Sequence, residues 1–310
     1  MIMTVTLNAA IDKTYIVPKF PIGEATRAGR PLVHPGGKGI NVARVVRQFG
    51  MPSLATGFVG GKNGEAITDM LSGLDVGHDF VRVAGGESRL CLTIIDEASG
   101  RATELLEPGP PVTARELSEL KRKVELGARR SKVAVFSGSI PEGIPSSVYR
   151  ELIAAAQAAG CLTILDTSGD GLVQGIAAKP FLIKPNEHEV ARLLGKPLER
   201  EEELYPLFGR LLAQGIACAV VSLGAQGCIA AHNGTLYKVP APRIRAVNTV
   251  GCGDSFVGAL AVQLASGASM ERALIQAAAA GAADALTFEA GFVRVEDVKR
   301  LAQEISVMRL

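Results

Sequence analysis

Two short stretches hold residue types suited to moving a phosphoryl group. In Asn248-Thr-Val-Gly-Cys-Gly-Asp-Ser255, which runs straight into the apolar Phe256-Val-Gly-Ala-Leu260, two glycines and one carboxylate stand where a helix begins. The first N–H groups of a helix lack intrahelical partners, so Gly251, Cys252 and Gly253 are placed to hold an anion. Asp254 would repel that anion unless it had its own task. Taking the proton of an attacking hydroxyl, while the amides hold phosphoryl oxygens, is such a task. The second stretch is Pro35-Gly-Gly-Lys-Gly-Ile-Asn-Val-Ala-Arg44. Gly36 and Gly37 allow a tight turn and close approach of a ligand, with a helix expected from about Gly39. Lys38 and Asn41 bring a cation and an amide to the same opening. The spacing is not that of the Walker loop, which needs a longer gap before its Gly-Lys-Ser/Thr.

Other candidates lie at the ends of apolar runs. Asp12 follows the first of them and suits two sugar hydroxyls, or else caps a turn. Arg27 and Arg89 offer guanidinium forks for a phosphate, or are solvated surface residues. In Lys184-Pro-Asn-Glu-His-Glu189, Asn186 and Glu189 suit a Mg²⁺ ion held through water. The same pair also fits a capping box, and the two readings are compatible. Ser222-Leu-Gly-Ala-Gln-Gly227 is either a plain hairpin or a turn whose backbone faces a nucleotide phosphate. A helix N-terminus would lower the thiol pKa of Cys252, but no histidine is placed to partner it, and a space-filling role is favoured.

These residues need a scaffold. Apolar runs at Met3–Leu7, Ser53–Val59, Val133–Ser137, Leu162–Asp166 and Ala217–Ser222 alternate with helical patterns at Gly39–Phe49, Glu65–Ser72, Ser146–Ala159, Val190–Leu194, Leu204–Gln214 and Asp254–Ser266. Continuous apolar strands separated by helices predict a mostly parallel sheet covered on both faces, an α/β fold. The alanine-rich Ala273–Leu286 reads as a closely packed helix. Thr14–Val33 and Glu87–Leu106 break the alternation, with a hairpin turn at Asp96–Gly100. They predict a small separate β-sheet that closes over a pocket as a lid or forms a subunit contact.

With 310 residues, 47% of them hydrophobic, the chain can bury a large core as one domain. A net charge of +2 without basic blocks argues against a nucleic-acid binder. No apolar run reaches the roughly 18 residues of a membrane span. Five cysteines without C-x-x-C pairing, and no leader segment, predict reduced thiols and a cytoplasmic protein.

Gly36-Gly-Lys-Gly-Ile-Asn-Val-Ala-Arg44, Lys184-Pro-Asn-x-x-Glu189 and Thr249-Val-Gly-Cys-Gly-Asp-Ser255, in this order, resemble the signatures of the ribokinase-like superfamily. Within it the chain resembles the phosphofructokinase B group, over nearly its whole length, and there the 1-phosphofructokinase and tagatose-6-phosphate kinase types. Asn248 and Cys252 stand where the family usually has Asp and Ala. The resemblance implies a three-layer α/β/α kinase with a small β-sheet lid made from segments about 12–35 and 87–106. It implies ATP with Mg²⁺, and a ketohexose phosphate as acceptor. Asp254 would be the general base, with Gly251 to Gly253 as anion hole. Asp12, Gly37, Lys38 and Asn41 would hold the sugar, and Arg27, Arg89 and Ser137 would join Lys38 around its phosphate. Lys184, Asn186, Ser222, Gly224, Gly227, Ala280 and Asp284 would line the nucleotide side, with Asn186 and Glu189 organising Mg²⁺ through water. A homodimer through the lid sheet is also implied. A 6-phosphofructokinase of the same group, or a silent sugar-phosphate or nucleotide sensor, is the alternative.

Overall fold

A computed structural model describes all 310 residues. In chain order the strands of the first half are β1 (Ile2–Thr6), β2 (Ala10–Val17), β3 (Leu32–Gly36), β4 (Ser53–Gly60), β5 (Gly77–His78), β6 (Val81–Val83), β7 (Arg89–Asp96) and β8 (Arg101–Leu106). They are followed by β9 (Val133–Ser137), β10 (Leu162–Asp166), β11 (Leu182–Ile183), β12 (Cys218–Ser222), β13 (Cys228–His232), β14 (Thr235–Val239) and β15 (Met308–Arg309). The helices are α1 (Lys38–Gln48), α2 (Gly61–Gly73), α3 (Ala114–Ala128), α4 (Val148–Ala158) and α5 (Gly169–Ile176). Then come α6 (Glu187–Leu194), α7 (Leu204–Ala213), α8 (Cys252–Ala265), α9 (Met270–Asp284) and α10 (Val295–Ala302).

The main sheet has 11 strands in the order β15-β14-β13-β12-β11-β10-β9-β1-β4-β5, with β6 also paired to β4. From β4 across to β12 every pairing is parallel, and β13 to β15 extend one edge antiparallel. Successive side chains of a strand point to opposite faces, so strands covered on both sides must be apolar throughout. In β9, Val133 and Val135 join the core beneath α1, α8, α9 and α10, while Ala134 and Phe136 join the core beneath α3, α4 and α7. The expected three-layer α/β/α arrangement is therefore present.

The two interrupting segments do pair with each other, in a four-stranded sheet of order β3-β2-β7-β8. Its strands differ at the edges from the sequence expectation. Pairing begins earlier in the first segment, at Ala10, and two residues later in the second, at Arg89, and residues 18–31 between β2 and β3 carry no strand. The turn after Asp96 is a hairpin as expected, closed by Gly100 N–H donating to the Asp96 carbonyl. Helix α8 starts two residues before the predicted Asp254, because Gly251 adopts the left-handed conformation (φ 92°) that turns the chain into it.

Helices α1 and α8 pack directly on each other, which brings the two sequence stretches together. Gly258 makes this possible: a Cβ there would lie 2.7 Å from Val45 Cγ1 and 3.3 Å from the Val42 carbonyl oxygen. Overpacking of this kind costs about 1–3 kcal/mol, while helix propensity alone would favour alanine by about 1 kcal/mol. Gly258→Ala is therefore expected to lower the urea midpoint and to reduce turnover by shifting α8 off α1. An unchanged or raised midpoint would show that the helices have room to spare.

Candidate active site

Apart from Arg27, most of the residues singled out above lie around the ends of the parallel strands, the side on which open α/β sheets bind ligands. The polypeptide leaves β1 at Leu7-Asn8, β9 at Ser137, β10 at Asp166, β11 just before Lys184, and β12 at Ser222. The N-termini of α1 and α8 open onto the same region. In α8, Ser255 is the first residue to close an intrahelical bond, to Gly251 O at 2.9 Å. The N–H groups of Cys252, Gly253 and Asp254 therefore lack an intrahelical acceptor and are the donors an anion would use.

Asp254 lies in the first turn of α8 and is buried, only 6% exposed. Asn41, from α1, donates its Nδ2 to Asp254 Oδ2 at 2.9 Å. Burial pushes the Asp254 carboxyl up to about 7, against the opposing pull of Lys38, the Asn41 hydrogen bond and Lys184, and with Asp166 adding to the rise. A carboxyl poised at neutrality is suited to accept a proton and release it again.

Lys38 is half-exposed at the mouth of α1, with Nζ 3.5 Å from Asp166 Oδ1 and 3.9 Å from Glu189 Oε1. Lys184 Nζ lies 3.2 Å from the same Asp166 oxygen. Burial opposes ionisation of Asp166, but Lys184 and Lys38 outweigh it and hold the carboxyl below its ordinary range. Asp166 had been read only as the end of a strand. The signal was its type: one carboxylate closing an otherwise apolar run at the ligand-binding end of the sheet.

On the smaller sheet, Asp12 sits in β2 opposite His34 of β3 and Cys91 of β7. Burial raises its carboxyl to about 6, opposed by Arg44 and Arg89. The carboxyl group occupies the space a side chain at Gly36 would need, which is the reason for glycine there. Arg89 starts β7 and donates Nε to Asn8 O at 3.2 Å and Nη1 to Glu107 O at 3.3 Å. Arg27 is exposed in the 18–31 segment, outside both sheets. Ser137 is fully buried and its Oγ has no hydrogen-bond partner.

Asn186 and Glu189 form the capping box foreseen as one of two readings: Glu189 N donates to Asn186 Oδ1 at 2.8 Å, and Asn186 N to Glu189 Oε2 at 2.9 Å. No group of three His, Cys, Asp or Glu side chains is arranged to hold a metal ion. Asp166 Oδ1 is taken by the two lysines, while its Oδ2 is buried without a hydrogen-bond partner, and Glu189 stands on the other side of Lys38. Two hard carboxylates so placed fit an ion that keeps most of its water. Ser222 to Gly227 is a hairpin connection between β12 and β13, tightened by Gly224 (φ 55°) and Gly227 (φ 95°). The Asn186 and Ser222 backbones lie side by side in a parallel bridge, which joins this turn to the α6 entrance.

Ala280 and Asp284 lie in α9 and are buried. Asp284 is turned inward: Oδ1 accepts from Ser255 Oγ at 2.8 Å and from Phe292 N at 3.0 Å. The space-filling role favoured for Cys252 fits its surroundings, which do not lower the thiol pKa as a helix N-terminus alone would. Burial pushes that thiol up, and the neighbouring Asp284 and Asp254 carboxylates add to the rise, so the thiol stays protonated.

Comparison with known proteins extends over the whole chain. Residues 3–295 match the model of the pfkB family carbohydrate kinases. A tagatose-6-phosphate kinase of Staphylococcus epidermidis is 34% identical over the full length of both chains. The crystal structure of phosphofructokinase-2 from Escherichia coli in complex with potassium superposes with a TM-score of 0.90 at 30% identity, covering 98% of each chain. A possible 1-phosphofructokinase from Thermotoga maritima gives 0.91 at 27% identity, covering 100% of this chain and 99% of its own.

The raised carboxyl has a consequence for stability. A group whose folded pKa is about 7 against its ordinary value of 3.8 binds its proton more tightly in the folded state. Its contribution to stability is therefore present at low pH and is lost as pH rises from about 4 through about 7. Asp254→Asn keeps an acceptor for Asn41 and removes the buried charge. Its urea midpoint is expected to exceed that of the parent protein at about pH 8 and to match it near pH 4. A lower midpoint at pH 8 would contradict the assignment.

Proposed function

The chain belongs to the pfkB family of carbohydrate kinases, and on that premise we propose that it transfers the γ-phosphoryl of ATP to a primary hydroxyl of a ketohexose phosphate, giving a bisphosphate. The observation that carries the reading is Asp254: a buried carboxyl raised to about 7, held by Asn41 beside the unpartnered N–H groups that start α8. A binding module would gain nothing from a carboxylate at an anion site. A hydroxyl laid against Asp254 loses its proton to it as the oxygen attacks, and the N–H groups of Cys252, Gly253 and Asp254 receive the charge on the transferring group.

The sugar is assigned to the cleft between the two sheets. Asp12 and Asn41 accept and donate to its hydroxyls, and Lys38 with Arg89 faces the phosphate it already carries. Arg27 completes that set when residues 18–31 settle on the cleft, and Ser137 supplies a hydroxyl at the end of β9. ATP is assigned to the other side, with Lys184, Asn186 and the Ser222–Gly227 turn lining it and Ala280 and Asp284 behind. Mg²⁺ would be held by Glu189, Asp166 and Asn186 through water, and when bound it offsets negative charge on the phosphate chain. Residues 12–35 and 87–106 act as a lid on one kinase domain, excluding water as a competing acceptor. Leu105 and Leu106 are 66% and 56% exposed on β8. Their exposure supports a homodimer formed through that sheet.

Among sugars, the Ser222–Gly227 turn, His232-Asn233 and Ala290-Gly-Phe-Val293 lean toward tagatose 6-phosphate. The Staphylococcus relative supports this choice over fructose 1-phosphate and fructose 6-phosphate. Coupled ADP-release assays on the three sugar phosphates should show the highest kcat/KM with tagatose 6-phosphate. A higher value with either fructose phosphate would reassign the acceptor, and no ADP release with any of them would remove the proposed acceptor class. Asp254→Asn is expected to lower kcat by about 10²–10⁴-fold, and near-normal turnover would remove it as base. Arg89→Ala should raise KM for the sugar phosphate while leaving KM for ATP unchanged. An unaltered sugar-phosphate KM would take Arg89 out of the clamp.

A further inference from the structure

Arg44 is a buried cation, 3% exposed, in the middle of α1 and without a role so far. Its guanidinium is shared among groups from three parts of the chain. Nη1 lies 3.0 Å from Ala290 O, 3.4 Å from Asn41 Oδ1 and 3.5 Å from Pro35 O, and Nη2 bonds Glu289. Glu289 also pairs with His34 Nδ1 at 3.1 Å. Arg44 therefore touches the strand that leads into the Gly36-Gly37 turn, the asparagine that bonds Asp254, and the 289–290 loop.

The orientation of Asn41 follows from this. An amide has one end that accepts and one that donates; an arginine can only donate and a carboxylate can only accept. With Arg44 on one side and Asp254 on the other, only one rotamer satisfies both: Oδ1 toward Arg44 and Nδ2 toward Asp254. The 289–290 loop that Arg44 holds is also the backing of the α8 entrance. A Cβ on Gly251 would lie 2.9 Å from Ala290 Cβ and 2.7 Å from Gly291 N, so the anion-hole turn rests directly on it.

We propose that Arg44 is a positioning residue for phosphoryl transfer, acting through Asn41, whose amide it locks with the donor end on Asp254. It rests on the reading of Asp254 as the base. Arg44 does not touch the reacting atoms. It holds the amide that stabilises the ionised carboxylate and the loop beneath the anion hole.

The Asn41 bond lowers the Asp254 pKa, so losing the amide orientation raises it and moves the acid limb of kcat/KM to higher pH. Lys38, Lys184 and Asp166 also face Asp254 across the site, and Asp284 and Cys252 lie on its inner side. None of these hydrogen-bonds Arg44, but its charge acts through space on Asp284 and on Asp12, a direct effect that the Asn41→Ala background reads separately. The test compares Arg44→Met, Arg44→Lys, Asn41→Ala and the Asn41→Ala/Arg44→Met double variant, using the sugar phosphate that turns over best. Loss of a hydrogen bond to a charged group corresponds to about ten- to a hundredfold, and kcat should fall by that factor in Arg44→Met with KM for ATP little changed. The acid limb should move to higher pH. Arg44→Lys should behave likewise, since an ammonium cannot span Asn41, Ala290 O and Glu289 together. It also keeps a cation in the pocket and carries the test should Arg44→Met fail to fold. In the Asn41→Ala background, Arg44→Met should move the limb no further. Full rescue by lysine, or an equal shift in the Asn41→Ala background, would mean that Arg44 acts by its field alone and would overturn the proposal. Asp254→Asn is the separate control. If it retains turnover, the base reading itself fails; if it is inactive while both Arg44 variants keep the parent limb and kcat, only the role of Arg44 falls.

Discussion

One hydrogen bond joins the two halves of the site: Asn41 Nδ2 to Asp254 Oδ2, 2.9 Å, in the buried seam between α1 and α8. It can form only if the two helices start at the same level and pack without a gap. That requirement reaches into Gly258, which lets the helix axes approach, and Gly251, which turns the chain into α8. It also reaches into the parallel sheet. Strand β1 feeds α1 through the smaller sheet, and β9, β10 and β11 end where Ser137, Asp166 and Lys184 complete the same opening. A buried carboxylate with one donor is costly to ionise. This cost is what brings the Asp254 pKa near neutrality, where the proposed proton transfer would use it.

The site is balanced electrically as two linked sets. Asp166 lies between Lys184 and Lys38 and is kept ionised by them. Asp254 has one amide donor and more distant cations, and burial prevails. Two aspartates of the same opening thus have their pKa values pushed in opposite directions, one suited to hold cations and the other to take a proton. Asp284, also raised to about 7 by burial, faces inward and ties Ser255 to the Phe292 backbone.

Much of this was legible in the sequence because it is local. Apolar runs without alternation marked the parallel strands, and Val133–Ser137 and Leu162–Asp166 were bounded to the residue. Glycine and lysine at a helix entrance, and glycine and aspartate at another, marked the two turns that open the helices α1 and α8. What escaped depends on distant partners. Asp166 takes its importance from two lysines supplied by other strand ends. Arg44 reads as one more helical arginine until Glu289 and Ala290 close over it. The thiol of Cys252 was open to two pulls, helix position favouring the thiolate and burial the thiol; burial beside Asp284 and Asp254 prevails, as a space-filling role requires. The edges of the smaller sheet shifted because cross-strand register, set by Ala10 against Gly36 and Arg89, decides where pairing begins.

The fold itself holds the Asp254 carboxyl near neutrality. Carboxyl-¹³C NMR of aspartate-labelled protein, with the Asp254 resonance assigned by its loss in Asp254→Asn, reads this directly and needs no substrate. A midpoint near 7 is expected for that resonance. A midpoint near the ordinary aspartate value of about 4 would contradict it, because Asp254 would then be an ionised anion at all working pH values and the buried seam would not be tuning a base.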